Sequence, residues 1–235
     1  FYRNDKKIEL FRGDKVVLEA SQGFDLGEVS LSGELVKIQM KKKDVKESAD
    51  TIRNILRKAT EEDIKRMQML RGKEKAMLVK ARVISRSLNL EMKVGDIEFQ
   101  GDGKKATFFY TADNRIDFRE LVKQYAGAFK VKIEMRQIGA RQEAGRIGGI
   151  GSCGRELCCS TWLSDFESVS TGAARYQQLS INTDKLSGQC GRLKCCLNFE
   201  LDTYMDALKS IPKNPDKIKT KEGTAYLRKT DIFKK

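Results

Sequence analysis

Residues 60–92 read TEEDIKRMQMLRGKEKAMLVKARVISRSLNLEM. Thr60 and Asp63 stand three apart, the spacing of a capping box that ties down the first free N–H groups of a helix. Behind them Ile64, Met67, Leu70, Met77, Ala81, Ile84 and Leu88 recur at intervals of three, four and seven, which places them on one helical face. The stretch predicts one long amphipathic helix, with Gly72 as its weakest point. Leu90, Met92 and Val94 then alternate as a strand. Ala106–Thr111 is a second, with Phe108 and Tyr110 on one face, and Asp102-Gly103 is the turn between them. Asp117 is the expected cap of a helix carrying Phe118, Leu121, Val122 and Tyr125, with Gly127 near its end. Val131, Ile133 and Met135 alternate again. The order α-β-β-α-β over residues 44–138 predicts an α+β core, with helices on one face of an antiparallel or mixed sheet. Ferredoxin-like topology is one candidate.

On the N-terminal side, residues 8–40 read as β. Lys15–Glu19 is a strand, Gln22-Gly23 and Asp25 mark a turn, and Leu26–Val29 restarts the pattern. Leu35, Ile38 and Met40 then run into Lys41-Lys42-Lys43. Short strands broken by glycine predict a small barrel or meander over residues 1–43, packed on something larger. Ile52, Ile55 and Leu56 mark a short helix ahead of the long one. On the C-terminal side the character changes at Gly139. Residues 139–210 form a cysteine-rich region closed by a helix through Phe199, Leu201, Tyr204 and Leu208. Ile211-Pro212-Lys213-Asn214-Pro215 breaks that helix, and residues 211–235 end the chain as a hairpin.

Composition narrows the partners. Lysine and arginine outnumber aspartate and glutamate by 46 to 33, a formal charge of +13. Such a balance suits a polyanion such as RNA, or a lysine-rich solvated surface. No segment approaches the about 20 apolar residues that span a bilayer, and the first residues lack the apolar core of a secretory signal. A cytoplasmic protein is expected. In a reducing cytoplasm, clustered cysteines hold metal more often than disulfides. The chain has no histidine, so a soft-metal site rests on thiolates, and an imidazole base is excluded.

The cysteines are Gly151-Ser152-Cys153-Gly154-Arg155-Glu156-Leu157-Cys158-Cys159 and Gly188-Gln189-Cys190-Gly191-Arg192-Leu193-Lys194-Cys195-Cys196. Both read G-x-C-G-R-x-x-C-C, and an aromatic, Trp162 or Phe199, follows three residues after each. The duplication predicts two equivalent half-sites facing one another. Thiolates crowded together repel unless a cation sits between them. Arg155 and Arg192 are expected to place positive charge beside the sulfurs and lower their pKa. The competing possibilities are buried structural cysteines or redox disulfides. Among metals, the C-x₂-C knuckles of structural zinc are missing, whereas iron–sulfur clusters take more varied spacing. Four cysteines suffice for one cubane; three would serve if another subunit supplied the fourth ligand. Gly149–Gly154 formally matches G-x-G-x-x-G, but it contains a candidate ligand and follows no strand. Arg136, Arg141, Arg146, Arg155, Arg192 and Lys194 are candidate contacts for nucleic acid or a partner. Lys130 and Lys132 share the polar face of the last core strand.

At these residues the chain resembles the YaaT/RicT family, whose members carry a PSP-type C-terminal domain. The resemblance runs through Gly13-Asp14-Lys15-Val16-Val17, Phe109-Tyr110-Thr111-Ala112-Asp113, Asp117-Phe118-Arg119-Glu120-Leu121-Val122 and Arg136-Gln137-Ile138-Gly139-Ala140-Arg141. It continues with both cysteine motifs, Leu179-Ser180-Ile181-Asn182 and Lys185-Leu186-Ser187-Gly188. It implies a non-enzymatic regulatory subunit with 4Fe–4S clusters, acting with small helical RicA/RicF-like subunits to steer an endoribonuclease in mRNA processing. Cys153, Cys158, Cys159, Cys190, Cys195 and Cys196 are the ligand candidates by motif match. Asn182-Thr183-Asp184 stands where the family more often has a proline-containing turn. The competing functions are a zinc-stabilised nucleic-acid adaptor without a redox role and a thiol oxidoreductase.

Overall fold

A computed structural model describes residues 1–46, 49–210, 217–226 and 232. The chain divides into two compact units, Phe1–Ile138 and Gly139–Lys235. Their secondary structure is mixed α and β, as expected. Among the described residues no helix is long and apolar enough to cross a membrane.

The first unit holds two sheets. One is built from β1 (Tyr2–Arg3), β2 (Lys15–Glu19), β3 (Phe24–Glu28) and β4 (Arg53–Lys58) in the order β1-β4-β2-β3. β2 pairs antiparallel with β3 and with β4, while β1 pairs parallel with β4. The sheet is open, with β1 and β3 as edges, so the expected barrel is not formed among the described residues. Two local expectations are also corrected. Residues that closed the β pattern form helix α1 (Glu34–Lys42). Leu35 and Ile38 follow the helical interval of three, Glu34 lies in the first turn, and Lys41 and Lys42 lie in the last, each favoured by the helix dipole. Conversely Ile55, expected in a helix, sits in β4 opposite Leu18 and packs with Val16, Leu18 and Val29. An otherwise unpaired edge of β2 recruits this six-residue run, too short for its own propensity to decide.

The second sheet follows the expected α-β-β-α-β order, with α2 (Glu61–Ser87), β5 (Lys93–Phe99), β6 (Lys105–Thr111), α3 (Arg119–Phe129) and β7 (Lys132–Gln137). Thr60 caps α2 with the capping box complete. Asp63 is buried and takes a forked pair of hydrogen bonds from Arg57 at the end of β4, which joins strand to helix. Strand β5 starts later than the periodicity suggested; Leu90 and Met92 pack on the core from the preceding turn. Asp117 accepts from the Arg119 N–H at 3.1 Å, one residue before the helix boundary. The sheet order is β5-β6-β7, antiparallel then parallel. Since β6 and β7 are direct neighbours, no strand lies between the ends of the β6-α3-β7 crossover. The ferredoxin-like split is therefore not the topology formed. Val94, Ile97, Phe108, Leu121 and Tyr125 are fully buried here. Phe108 stacks on Tyr125 with centroids 4.7 Å apart, and the Tyr125 hydroxyl donates to the Ala81 carbonyl at 2.9 Å. Burial pushes that phenol up to about 12.

The second unit is built from short helices: α4 (Ala140–Ile147), α5 (Cys158–Thr161), α6 (Thr171–Tyr176), α7 (Thr183–Leu186) and α8 (Cys196–Lys209). Strands β8 (Lys217–Thr220) and β9 (Gly223–Tyr226) pair as the expected hairpin. The Ile211–Pro215 break lies outside the described residues. Asn182 caps α7 by accepting from the N–H groups of Asp184 and Lys185.

Candidate metal centre

Each G-x-C-G-R segment folds into the same tight loop. Gly151 N–H donates to the Arg155 carbonyl at 2.8 Å, and Gly188 N–H donates to the Arg192 carbonyl at 2.8 Å. Inside each loop Gly154 and Gly191 return a bond to Gly151 and Gly188, both at 3.0 Å. Gly154 and Gly191 adopt φ of 78° and 73°, left-handed backbone that favours glycine. This is why both motifs carry glycine directly after the first cysteine. Matching bridges, Ile150 with Glu156 and Ser187 with Leu193, close the loops. The paired cysteines then enter helices, Cys158-Cys159 in α5 and Cys195-Cys196 at the start of α8.

The two loops also meet. The Trp162 and Phe199 rings pack edge to face with centroids 4.6 Å apart, and Gln189 Nε2 donates to the Ile150 carbonyl at 3.2 Å. All six cysteines are free thiols and line a single cavity of about 540 Å³. Cys153 is exposed and the other five are half-buried. Leu157, Leu193 and Leu197 supply apolar wall, and Arg141, Glu156, Lys194 and Glu200 supply charge. Helix α4 approaches closely because Gly145 has no side chain: a Cβ there would lie 2.8 Å from the Cys159 carbonyl oxygen.

The donor set bears on which metal fits. A single zinc ion takes its thiolates at about 2.3 Å from one centre. Among the described residues, no group of three or more Cys, Asp or Glu side chains is placed to hold a single ion. A polynuclear cluster assigns different thiolates to different irons and spreads its ligands more widely. Six free thiols around one cavity are the soft donors that either would draw on.

The electrostatics differ from the expected lowering of thiol pKa. Burial pushes Cys195 up to about 11, and neighbouring cysteines, Cys158 first, add to the rise. Cys159 is raised mainly by burial, then by Cys190 and Cys158. Cys196 is raised by burial and by Glu200. Crowded, desolvated thiols resist ionisation. Arg141 opposes the rise at Cys159 and Cys195, and Lys194 opposes it at Cys196.

Of the six predicted basic contacts, Arg141 and Lys194 line the cavity. Arg141 is half-buried, donates from Nη2 to the Leu193 carbonyl at 3.0 Å, and lies over the Phe166 ring at 5.4 Å. Lys194 Nζ donates to the Lys185 carbonyl at 2.7 Å. Arg155 and Arg192 contribute their main-chain carbonyls to the loops, and their residues are exposed. Arg146 is exposed in the last turn of α4. Arg136 belongs to β7 in the first unit, over the Phe109 ring at 5.8 Å. Sequence reasoning passed over Gln189, Glu200 and Gly145. Only Gln189 carried a signal, its place inside the second motif.

Residues 53–138 match the family model described as the PSP1 C-terminal conserved region, and residues 168–211 match the third domain of PSP1-like proteins. Across its whole length the chain is 40% identical to the stage 0 sporulation protein YaaT of Bacillus subtilis, spanning 83% of that protein. Over 57% of its length it is 33% identical to an uncharacterized protein of Schizosaccharomyces pombe, of which the match spans 21%. No solved structure matches the chain.

Proposed function

The chain belongs to the YaaT family of proteins with a PSP1 C-terminal region, and we propose that it is a non-enzymatic regulatory subunit whose second unit binds a 4Fe–4S cluster. The observation that carries this is the convergence of all six cysteines, from two loops of identical hydrogen bonding, on one cavity. When bound, such a cluster supplies a one-electron couple and an iron-dependent tie between the loops. The chain's own residues do the rest. The Gly-Arg loops carry Cys153 and Cys190, helices α5 and α8 carry the paired cysteines, and Arg141 places positive charge beside the sulfurs. The leucine wall limits water. The sporulation role that gives the Bacillus subtilis relative its name supports a regulatory task. We propose further that the chain acts in a complex with RicA/RicF-like helical subunits that steers an endoribonuclease in mRNA processing, a reading supported by the family resemblance and by the basic balance of the chain.

Anaerobically purified protein is expected to be brown, to contain iron and acid-labile sulfide, and to bleach on dithionite. Colourless protein with stoichiometric zinc would overturn the cluster and leave the zinc-stabilised adaptor, whose RNA affinity would fall steeply with salt. For the nuclease role, a Cys190→Ser strain should accumulate the same unprocessed transcripts as a strain lacking the endoribonuclease. Normal transcript processing in that strain would remove the role.

A further inference from the structure

Helix α2 carries a second apolar face that its own unit does not cover. Its inner side is accounted for by Leu70, Met77, Leu78, Ala81, Ile84 and Leu88, packed on the core of the second sheet. On the opposite side lie Met69, Gly72, Ala76, Val79 and Val83, all exposed. Met69, Val79 and Val83 are 60%, 64% and 61% exposed. Their spacing of three, four, three and four is the alternation of a coiled-coil seam, and at 1.5 Å per residue the stripe runs about 21 Å. Gly72, a weak point for an isolated helix, lies in this stripe with open space before it, and there it lets a second backbone approach.

The flanks of the seam are basic on both sides. Arg66, Lys73 and Lys80 border one edge, and Arg71, Lys75 and Arg86 the other, with Lys65 in line with the stripe; Arg82 is turned inward, donating to the Val94 and Gly95 carbonyls. Beyond the first turn the only acidic residue of α2 is Glu74, which is turned inward and accepts from the Phe99 N–H at 3.1 Å. Lys65, Arg66, Lys73 and Lys75 make no ion pair among the described residues. Flank charges set partner choice in helix pairing. A second copy would put lysine against lysine. A nucleic acid would satisfy the lysines and leave Val79 and Val83 with no apolar partner.

We propose that the outer face of α2 is a docking surface for an amphipathic helix of another protein, apolar at its seam and acidic along its edges. The surface shares no residue with the cysteine cavity, and its test leaves all six cysteines in place. A benzophenone amino acid at position 79 of the full chain, in its own host cells, should crosslink to a peptide of a second protein. Sequencing should show apolar residues at three-four spacing bordered by Asp and Glu. Val83→Glu should cut the yield at least tenfold and Lys73→Glu with Lys75→Glu several-fold, with melting temperature and metal content unchanged. Adducts to this chain itself or to RNA, or a yield no higher than from position 123 on α3, would each overturn the proposal.

Discussion

The two units solve the same problem with different materials. The first buries Val94, Ile97, Phe108, Leu121 and Tyr125 between long elements, and its aromatic stack closes without help. The second has, among its described residues, a core of Ala173, Ala174, Leu186 and Leu197 with a few half-buried neighbours. Two of its helices span four residues each, too short to be stable without tertiary support. With so few buried apolar side chains, this unit would gain more than the first from any further tie between its loops, and metal binding would be one such tie. One unit is held by packing; the other brings its six cysteines to one cavity.

The largest effect that would break this contrast comes from Cys190→Ser. The variant should lose most of its iron, and hydrogen exchange across residues 139–210 should approach that of an unfolded chain, while residues 1–138 keep their protection. Because Trp162 is the only tryptophan, its fluorescence follows the second unit alone and gives an independent reading. Retained iron with an unchanged Trp162 melt would mean that the second loop is merely structural. The reciprocal change is Phe108→Ala, expected to cost about 3–5 kcal/mol as seen by circular dichroism. Iron content and the Trp162 transition should not move; if they do, the units are not separately supported.

The contrast also explains what the sequence made legible. Periodicity and capping revealed α2, β6, α3 and β7, because long elements with one buried face print that face on the chain. The cysteine duplication likewise pointed to paired half-sites, while the left-handed turns at Gly154 and Gly191 emerged only in the folded backbone. Short elements were the failures. Leu35 and Ile38 look equally apolar in a strand or a helix. Ile55 is drawn into β4 by β2, a neighbour far away in sequence. At the site, Arg155 and Arg192 seemed the natural charges because they are part of the motif. The loops use their carbonyls, and the charge beside the thiols comes from Lys194 within the motif and from Arg141, whose relation to the cysteines exists only after folding. Motif spacing reveals paired half-sites well and side-chain direction poorly.

A smaller effect tests the joint between β4 and α2. Arg57 and the Thr60 amide hold the Asp63 carboxyl well below the ordinary carboxylate value of 3.8. A carboxylate with a depressed folded pKa stabilises the fold at pH values above its unfolded pKa, and this contribution is lost as pH falls through the folded value. Asp63→Asn should therefore cost about 1–2 kcal/mol at neutral pH. The gap to the parent should narrow on acidification below 3.8, measured by urea unfolding of the first unit. A gap that stays constant down to acid pH would mean that packing rather than charge is lost.

The smallest effect probes whether the half-sites need each other. Phe199 is largely exposed, so little of its contribution to Trp162 comes from area removed from water. What remains is edge-to-face contact, worth about 0.5–1.5 kcal/mol. Phe199→Leu keeps apolar bulk and removes that geometry, so it should lower the Trp162 fluorescence midpoint by a few degrees with iron bound. If iron is what holds the two loops facing each other, parent and variant should behave alike after it is removed by a chelator. A difference that persists without iron would show that the aromatic pair assembles the half-sites on its own, and the metal would then enter a cavity already formed.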